Sequence, residues 1–426
     1  MIKTISKNKN LKGEILIPSD KSISHRAVIL SAISNGENLI TNFLNSEDCQ
    51  STVNIFKQLG VKIEYLESNI LKVKGGALKY SKELLNSGNS GTTMRLVSGV
   101  MAGQDFESII VGDESLSKRP MKRIIEPLRL MGADISSMDG RAPLYIKGCK
   151  LKGITYESPI PSAQVKSCVL LAGLNAEGET TYIETCLSRN HTELMLKYLG
   201  ADVKIDGLST TIKASNLISK NIEVVGDISS AAFFIVAGLI VEGSDFVIKN
   251  VGINATRTGL LDVVKRMNGN IEILNERVIA GEKVADIRVQ YSENLIGCEI
   301  LGADIPRLID ELPVIALLAS QADGKTIVRN AEDLRNKEAD RISCVVSEFK
   351  KIGMDIVERP DGFVVNGKSS LQGNAKLATY QDHRLAMSFY IAGLICKEEI
   401  SIDGFEWTNI SFPEFEKLIN VLQTVG

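Results

Sequence analysis

The chain has 426 residues and a net charge of −3; 44% of the residues are hydrophobic and 24% are charged. This composition is typical of a soluble globular protein with room for two domains, and the balanced charge argues against a nucleic-acid binder, which usually carries a basic surplus. The longest uncharged apolar stretch, residues 228–241, is shorter than the roughly 20 residues that cross a bilayer, and the N-terminus lacks the long apolar segment of a signal peptide.

The numbers and positions of the Cys and His residues further limit the class of protein. The 7 Cys are an odd number without CxxC pairs, and several lie inside apolar runs. This predicts buried free thiols in a reducing compartment. Only 3 His and no HExxH motif argue against a metal site.

The first predicted elements are a strand over residues 13–18 and a helix that starts near Ser22 or Ser24, because Ser is a good N-cap and an apolar run follows. Lys21, Ser22 and Arg26 therefore crowd one helix N-terminus, where free N–H groups and the positive dipole end already lie. A bound anion would relieve the repulsion. A solvated helix start with ordinary surface charges is the alternative, and this stretch alone does not decide between them.

The same arrangement recurs along the chain, which favours the anion site. Each later copy places polar or charged residues just before an apolar run. The copies are residues 89–95, 162–166, 226–230, 310–313 and 382–384.

A second repeated sequence pattern consists of the end of an amphipathic helix, then Gly, then a strand. Gly is the natural C′ residue of a helix, because it adopts the left-handed conformation without strain. A sixth copy, residues 412–422, ends at the C-terminus, and we expect residues 12–18 to supply its missing strand. The glycines of the other five copies are Gly60, Gly132, Gly200, Gly269 and Gly353.

Six copies of a unit of about seventy residues predict two domains of three units each. The expected domains are residues 20–225 and residues 226–426 with 1–19. The chain would cross between them near residues 18–20 and 224–227, and a ligand would bind in a cleft between domains whose closure expels water.

The charged residues of these stretches suggest the ligand chemistry. Many cations suit a substrate with several phosphate or carboxylate groups. Asp310, Glu338 and Asp382 stand among these cations as acid/base candidates, and Gly91 allows a ligand to approach the backbone closely. The cations are Lys21, Arg26, Arg95, Lys166 and Arg384 at helix starts, and Arg119, Arg189, Lys337 and Arg341 in loops.

Each residue also has an ordinary structural role. Asp310, Asp382 and Ser162 would serve as N-caps, Glu338 and Arg341 form an i,i+3 pair, and His383 would be a structural histidine. Taken singly, the ordinary role is favoured for all except Lys21 and Arg384. Taken together, one polar cluster per repeat favours ligand binding.

At these residues the sequence closely resembles the 5-enolpyruvylshikimate-3-phosphate (EPSP) synthase family, in its second class. The motifs follow the family's order and span nearly the whole chain. They are Asp20-Lys-Ser-Ile-Ser-His-Arg26, Gly88-Asn-Ser-Gly-Thr-Thr-Met-Arg95, Lys118-Arg-Pro-Met121, Ser162-Ala-Gln164, Ser188-Arg-Asn-His-Thr-Glu193, Asn254-Ala-Thr-Arg-Thr-Gly259, Asp310-Glu311, Lys337-Glu-Ala-Asp-Arg341 and Asp382-His-Arg384.

The resemblance implies an inside-out α/β barrel in two domains, each built from three βαβαββ repeats. It implies transfer of the enolpyruvyl group of phosphoenolpyruvate to the 5-hydroxyl of shikimate 3-phosphate, with release of phosphate through a tetrahedral intermediate. No metal and no organic cofactor are implied. The expected partners are these two small molecules, with no nucleic acid or membrane, and the expected form is a cytoplasmic monomer.

The resemblance also assigns roles to residues. Asp310 is expected to take the 5-hydroxyl proton, Glu338 to protonate the phosphoenolpyruvate methylene, and Lys21 to assist catalysis. Because cations depress a carboxyl pKa, some burial is needed to keep Glu338 protonated part of the time. Shikimate 3-phosphate is expected on Lys21, Ser22, Arg26, Ser162, Ala163, Gln164, Asp310 and Lys337, and phosphoenolpyruvate on Lys21, Gly91, Arg119, Gln164, Arg341, His383 and Arg384.

One departure and two rival functions remain at this point. Many family members carry a Lys before the C-terminal Phe/Tyr-Pro, whereas residues 407–413 contain none, so one phosphoenolpyruvate contact is in doubt. A sister transferase acts on a UDP-linked amino sugar and uses a loop Cys, but residues 112–119 contain no Cys. The net charge of −3 and 5% aromatic content weigh against an RNA-end-binding repeat protein.

Overall fold

The computed structural model describes residues 1–424 and places them in two compact units. Unit 1 contains Met1–Pro18, Gly226–Arg277 and the described residues from Lys283 onward; unit 2 contains Ser19–Val225 and Val278–Glu282. Ser19 and the short segment Val278–Glu282 therefore belong to unit 2, whereas the expected domain of residues 226–426 with 1–19 included both.

The helices carry the repeat that the glycine spacing suggested. Short 3-10 helices lie at Gly302–Asp304, Ile309–Glu311, Glu332–Asn336 and Phe405–Ile410. The α-helices of the described chain are α1 (Lys21–Ile33), α2 (Glu47–Gln58), α3 (Gly91–Ala102), α4 (Glu114–Ser117), α5 (Lys122–Leu130), α6 (Ala163–Gly173), α7 (His191–Tyr198), α8 (Ile228–Ile240), α9 (Gly259–Arg266), α10 (Ile305–Leu308), α11 (Leu312–Ala319), α12 (Arg341–Lys351), α13 (His383–Gly393) and α14 (Phe415–Thr424).

The strands alternate with these helices along the chain. They are β1 (Ile2–Ile5), β2 (Lys12–Leu16), β3 (Gly36–Thr41), β4 (Lys62–Glu67), β5 (Ile70–Gly75), β6 (Leu85–Asn86), β7 (Glu107–Val111), β8 (Asp134–Met138), β9 (Arg141–Lys147), β10 (Leu151–Lys152), β11 (Thr155–Glu157), β12 (Ala176–Glu177), β13 (Glu179–Ile183), β14 (Val203–Asp206), β15 (Ser209–Lys213), β16 (Ile222–Glu223), β17 (Asp245–Gly252), β18 (Ile271–Ile279), β19 (Glu282–Gln290), β20 (Glu299–Ile300), β21 (Gly324–Val328), β22 (Ile356–Arg359), β23 (Gly362–Gly367), β24 (Ala375–Ala378) and β25 (Ile400–Asp403).

Six sheets share one topology. The first two strands of each sheet are parallel, and the third is antiparallel to the second. A fourth strand follows in five of them. The sheets are β16-β3-β5-β4, β6-β7-β9-β8 and β11-β13-β15-β14 in unit 2, and β2-β17-β19-β18, β20-β21-β23-β22 and β24-β25-β1 in unit 1. The expected α/β fold of six repeats, three in each unit, is confirmed.

The prediction for the N-terminal strand is wrong. The strand that completes the sixth repeat is β1, whose Ile2–Ile5 pair with β25. Residues 12–16 instead form β2 and pair parallel with β17 of the fourth repeat. Both segments are short and partly apolar, so the sequence holds no local signal that tells which sheet each one joins.

One buried helix per repeat fills the centre of each unit. In unit 1, α8 packs against α11 and α13, and all but one residue of α8 are buried. In unit 2, α3 and α6 pack so closely that a Cβ on Gly99 would lie 2.2 Å from the carbonyl oxygen of Cys168, so only Gly fits there. The apolar stretch of residues 228–241 is thus a core helix, and no helix of residues 1–424 is both long and apolar enough to span a membrane.

The prediction that a left-handed Gly ends the helix is confirmed in four of the five copies. Gly60, Gly132, Gly200 and Gly353 have φ between +85° and +96°. In the fourth repeat Asn268, with φ of 62°, takes the left-handed position instead of Gly269. Asn is the usual substitute for Gly at a helix C′ position, so in this repeat the left-handed residue lies one position before the predicted glycine.

The cysteine prediction holds in part. All 7 thiols are free, and Cys49, Cys168, Cys344 and Cys396 are buried, whereas the other three are partly exposed.

Candidate functional site

The start of α1 differs from the expectation. The helix begins at Lys21, and its N-cap is Asp20, whose carboxylate accepts from the Ile23 N–H at 2.8 Å. Neither Ser22 nor Ser24 is the cap. Lys21 therefore projects from the first turn, where its Nζ lies 3.1 Å from Oδ2 of Asp48.

The ammonium of Lys21 changes the chemistry of Asp48. Burial opposes ionisation of this carboxyl, but the charges of Lys21 and His25 and the hydrogen bond from Lys21 outweigh it and lower the pKa of Asp48. The pair is thus an ion pair at neutral pH, and an anionic ligand would compete with Asp48 for Lys21.

A chain of buried hydrogen bonds links three helices of unit 2, α1, α2 and α3. Nδ1 of His25 lies 2.7 Å from Oγ1 of Thr52, and the Thr52 hydroxyl lies 2.7 Å from that of Thr93. Burial lowers the pKa of His25 to about 3, so its ring is neutral at physiological pH. The Thr93 hydroxyl also bonds that of Ser90, the N-cap of α3. Lys21 and Gly91 thus project from helices that are tied together.

Gly91 lies next to the guanidinium groups of Arg95 and Arg119. A Cβ at this position would lie 3.0 Å from Nη1 of Arg95 and 3.7 Å from Nη1 of Arg119. Arg119 is held by Asn89, whose Oδ1 accepts from Nη2 at 3.0 Å. Gly91 therefore leaves space next to two cations and the first N–H groups of α3, an arrangement suited to an oxyanion.

The start of α6 adds the third predicted motif. Ser162 is the N-cap, with its hydroxyl accepting from the Val165 N–H at 3.4 Å, and Ala163 is the first helical residue. The amide of Gln164 accepts from Nη1 of Arg95 and donates to Oγ1 of Thr92 at 3.0 Å. Gln164 thus links the α6 start to the group around Gly91.

Arg26 is more deeply placed than a surface anion contact requires. It is only 4% exposed, and its guanidinium donates to Thr192, Ser167 and the main-chain oxygen of Ser22 at 2.6, 2.7 and 2.9 Å. Burial lowers the pKa of Arg26 to about 10, so it remains a cation. Its hydrogen bond to the Ser22 carbonyl oxygen helps to hold the first turn of α1 in place.

Lys166 does not belong with the ligand-binding cations. Its side chain is 1% exposed, and Nζ lies 2.6 Å from Glu184 and 2.7 Å from Glu193. Glu184 also accepts from the main-chain N–H of Ser188 at 3.1 Å. The sequence could not reveal this, because both carboxylates come from a later segment.

The predicted residues of unit 1 meet around one guanidinium. Arg341 is 1% exposed, and each of its nitrogens faces a carboxylate. Nε donates to Asp382 at 2.7 Å, Nη2 to Glu338 at 2.6 Å and Nη1 to Asp310 at 3.4 Å. A buried Arg that holds all three acid/base candidates fixes their separation as well as their charge state.

Glu338 is ionised in this arrangement. Burial would raise its pKa, but the charges of Arg341, His383 and Lys337 hold the pKa of Glu338 well below its usual range. Its side chain is still 37% exposed. The expected partial burial is present, but it does not by itself keep the carboxyl protonated.

Asp310 faces cations on three sides. Its carboxylate lies 3.3 Å from Nζ of Lys337 and 4.0 Å from Nη2 of Arg384, in addition to Arg341. Asp310 lies in the 3-10 helix Ile309–Glu311 and makes no side-chain cap for α11, so the ordinary N-cap role is excluded for it. Next to it, burial raises the pKa of Glu311.

The motif Asp382-His383-Arg384 forms the start of α13. Asp382 is the N-cap and accepts from the N–H groups of Arg384 and Leu385 at 2.8 and 3.3 Å. His383 is buried and is the first helical residue. Nη1 of Arg384 donates to the main-chain oxygen of Asp310 at 3.2 Å.

The two units differ in charge balance. In unit 1 the three cations face four carboxyl groups, namely Asp310, Glu311, Glu338 and Asp382. In unit 2 Arg95 is 8% exposed, and the contacts of its guanidinium within the described chain are with Gln164 and the Pro120 carbonyl. Burial and the charges of Arg123 and Arg119 lower its pKa to about 9. The acid/base candidates belong to unit 1, whereas Arg95 of unit 2 bonds an amide and a carbonyl.

Two residues of this region were missed in the predicted set. The sequence predicts Arg95 only as a helix-start cation, although it lies four residues after Gly91 and so on the same helix face. Asp48 carried no signal, because its role depends on the packing of α2 against α1. No group of three or more His, Cys, Asp or Glu that could hold a metal ion occurs within the described residues.

Comparisons with known proteins agree over almost the whole chain. A sequence model of the family EPSP synthase (3-phosphoshikimate 1-carboxyvinyltransferase) matches residues 5–419. A 3-phosphoshikimate 1-carboxyvinyltransferase of Thermoanaerobacter sp. (strain X514) is 50% identical over 98% of this chain and 99% of its own. One from Petrotoga mobilis (strain DSM 10674 / SJ95) is 47% identical over 99% of both chains.

Solved structures show the same similarity. EPSP synthase from Acinetobacter baumannii superposes with a TM-score of 0.91 at 42% identity, covering 99% of this chain and 98% of that one. The enolpyruvyl transferase NikO from Streptomyces tendae has a TM-score of 0.81 at 16% identity, covering 99% and 97%, and shares the fold.

Proposed function

Because the chain belongs to the EPSP synthase (3-phosphoshikimate 1-carboxyvinyltransferase) family, we propose that it transfers the enolpyruvyl group of phosphoenolpyruvate to the 5-hydroxyl of shikimate 3-phosphate and releases phosphate. The observation that carries the chemistry is the buried Arg341, which binds both Asp310 and Glu338. Two carboxylates held by one guanidinium are suited to an addition–elimination that needs an acid and a base.

In the first step, Glu338 gives a proton to the methylene carbon of phosphoenolpyruvate, and C2 becomes electrophilic. The 5-hydroxyl oxygen adds to C2 while Asp310 accepts its proton, which gives the tetrahedral intermediate. In the second step phosphate leaves from C2, and the methyl carbon returns a proton to a carboxylate, which restores the double bond.

The low pKa of Glu338 sets a condition on this mechanism. Arg341 is the strongest charge that holds Glu338 ionised. A phosphate or carboxylate that binds Arg341 would neutralise part of that charge, and the pKa of Glu338 would rise when phosphoenolpyruvate binds. Binding of phosphoenolpyruvate would thereby favour the protonated form of Glu338.

The binding residues follow the same logic. In unit 2, Lys21, Ser22, Arg26, Ser162, Ala163 and Gln164 are proposed to hold shikimate 3-phosphate, and Lys21, Gly91, Arg119 and Gln164 to hold phosphoenolpyruvate. In unit 1, Asp310 and Lys337 are proposed for the first substrate, and Arg341, His383 and Arg384 for the second. Lys21 is proposed to contact both.

The test is phosphate release from phosphoenolpyruvate. Release should require shikimate 3-phosphate and the chain together, and mass spectrometry should find the enolpyruvyl ether product. Release with UDP-N-acetylglucosamine instead would point to the sister transferase, and no release with either acceptor would overturn the proposal. We also propose that the chain acts as a cytoplasmic monomer, which light scattering and cell fractionation would test.

A further inference from the structure

The loop between β24 and α13 has an unusual backbone. It runs from Thr379 to Asp382, directly after Ala378 at the end of β24, and leads into His383 and Arg384. Tyr380 and Gln381 have φ of 53° and 62°. Neither is Gly or Asn, so each left-handed residue is strained and persists only where the surroundings fix it.

Helix α12 fixes this loop at two points. Glu348 is wholly buried; Oε2 accepts from the Ala378 N–H at 2.9 Å, and Oε1 accepts from the Tyr380 hydroxyl at 2.7 Å. At the other end of the loop, Arg341 donates to Asp382 at 2.7 Å. Glu348 follows Arg341 by seven residues, or about two helical turns, so both project from one face of α12.

The charge on Glu348 is balanced locally. Nζ of Lys351 lies 2.7 Å from both carboxylate oxygens, which satisfies a buried carboxylate. The hydrogen bond to Glu348 raises the pKa of Tyr380, so the phenol keeps its proton and donates. Tyr380 is 47% exposed, so its hydroxyl bond to Glu348 is its main contact with the buried part of the unit.

We propose that Glu348 and Tyr380 are positioning residues for phosphoenolpyruvate: their hydrogen bond holds the strained loop that aims His383 and Arg384. This inference rests on the proposed function. Relaxation of the loop would let Arg384 leave its place 3.2 Å from the Asp310 carbonyl. Binding of phosphoenolpyruvate should weaken, whereas binding of shikimate 3-phosphate, assigned to other residues, should not.

The first test is Tyr380→Phe, which removes one hydroxyl and its hydrogen bond to Glu348. We expect the KM for phosphoenolpyruvate to rise at least fivefold, with the KM for shikimate 3-phosphate within twofold of wild type and Tm within about 2 °C. The matched control is Tyr198→Phe, which loses a hydroxyl bond of 2.8 Å to the Asn221 carbonyl. Both KM values of this control should remain within twofold of wild type.

The second test is Gln381→Gly. Gly adopts the left-handed conformation without strain and also other conformations, so the loop becomes more flexible. A purely structural loop would keep or gain stability and keep its kinetics. We expect Tm unchanged or higher together with a KM for phosphoenolpyruvate raised at least fivefold. The control is Asn268→Gly, which relaxes a residue with the same φ of 62° at the end of α9 and should leave KM unchanged.

The outcomes separate the two proposals. A wild-type chain that releases no phosphate with both substrates would overturn the proposed function and this inference with it. An active wild type whose Tyr380→Phe and Gln381→Gly variants keep the wild-type KM for phosphoenolpyruvate would overturn the positioning role alone. A parallel rise of both KM values with a lower Tm would also overturn it, because that pattern belongs to general loosening of the fold.

Discussion

Replacement of Glu338 by Gln tests the most demanding part of the mechanism. Gln keeps the shape and one acceptor oxygen but cannot deliver the proton. Loss of a general acid costs roughly 10²–10⁴ in rate, which corresponds to about 3–5 kcal/mol at 1.36 kcal/mol per tenfold change. We expect kcat to fall by that factor, with the KM for shikimate 3-phosphate within about threefold of wild type.

The stability change should be far smaller. The Glu338–Arg341 pair is short at 2.6 Å, but the Glu338 side chain is 37% exposed, and exposed ion pairs contribute about 0–1 kcal/mol. Because the folded-state pKa of Glu338 is lowered, this contribution is present at neutral pH. It is lost as the pH falls below the unfolded value of about 4.3 toward the folded pKa. Wild type and variant should therefore converge in stability at acidic pH.

Two assays decide the case. Phosphate release gives kcat, and uptake of deuterium from solvent into the phosphoenolpyruvate methylene reports the proton transfer itself. The matched control is Glu358→Gln, since Glu358 pairs with Arg335 at 2.9 Å and is 40% exposed. If Glu338→Gln keeps turnover within threefold of the Glu358→Gln variant, Glu338 is an ordinary ion-pair partner and the mechanism is wrong.

Three further changes test other parts of the site. Lys21→Met should raise the KM of both substrates more than fivefold, because the ammonium beside Asp48 is proposed to bind both; steady-state kinetics with either KM within twofold of wild type would contradict this. Gly91→Ala should raise the KM for phosphoenolpyruvate roughly tenfold, about 1.4 kcal/mol, because its Cβ would lie 3.0 Å from Nη1 of Arg95; an equal rise for shikimate 3-phosphate would contradict it. Lys166→Met should destabilise the fold by roughly 3–5 kcal/mol, because it leaves buried carboxylates unpaired. Urea unfolding measures this against Lys213→Met, which removes an exposed pair with Glu179 and should change stability far less.

The repeat was predictable because five of its copies end their helix with a left-handed Gly or Asn. A left-handed residue after a helix needs Gly or Asn, so the spacing of these residues shows in the sequence. The pairing partner of a short strand is set elsewhere in the chain. Nothing local in residues 2–5 or 12–16 tells that β1 joins β25 and β2 joins β17.

The charged residues show the same limit. Arg95 and Lys166 both follow an N-cap by four or five residues and look alike in sequence. Lys166 meets Glu184 and Glu193, whereas Arg95 meets an amide and a carbonyl. The difference arises from which segments pack against each helix. A carboxyl pKa such as that of Glu338 depends on the same tertiary distances and cannot be derived from spacing alone.

The role of Asp310 separates the two carboxylates. Asp310→Asn keeps an acceptor oxygen for Lys337 and Arg341 but cannot take the 5-hydroxyl proton. The side chain is 14% exposed, so the loss of its charge among cations should lower stability by roughly 1.5–3 kcal/mol, the worth of a hydrogen bond to a charged group. We expect turnover to fall by roughly 10²–10⁴.

Deuterium uptake distinguishes this variant from Glu338→Gln. Because Glu338 remains in place, uptake into the phosphoenolpyruvate methylene should fall much less in Asp310→Asn than in Glu338→Gln. The control for the lost charge is Asp304→Asn, since Asp304 pairs with Arg266 at 2.6 Å and is 19% exposed. The control should lose stability but keep its turnover. Equal suppression of uptake in Asp310→Asn and Glu338→Gln would show that the two carboxylates act as one unit around Arg341, and the assignment of separate acid and base would then be wrong.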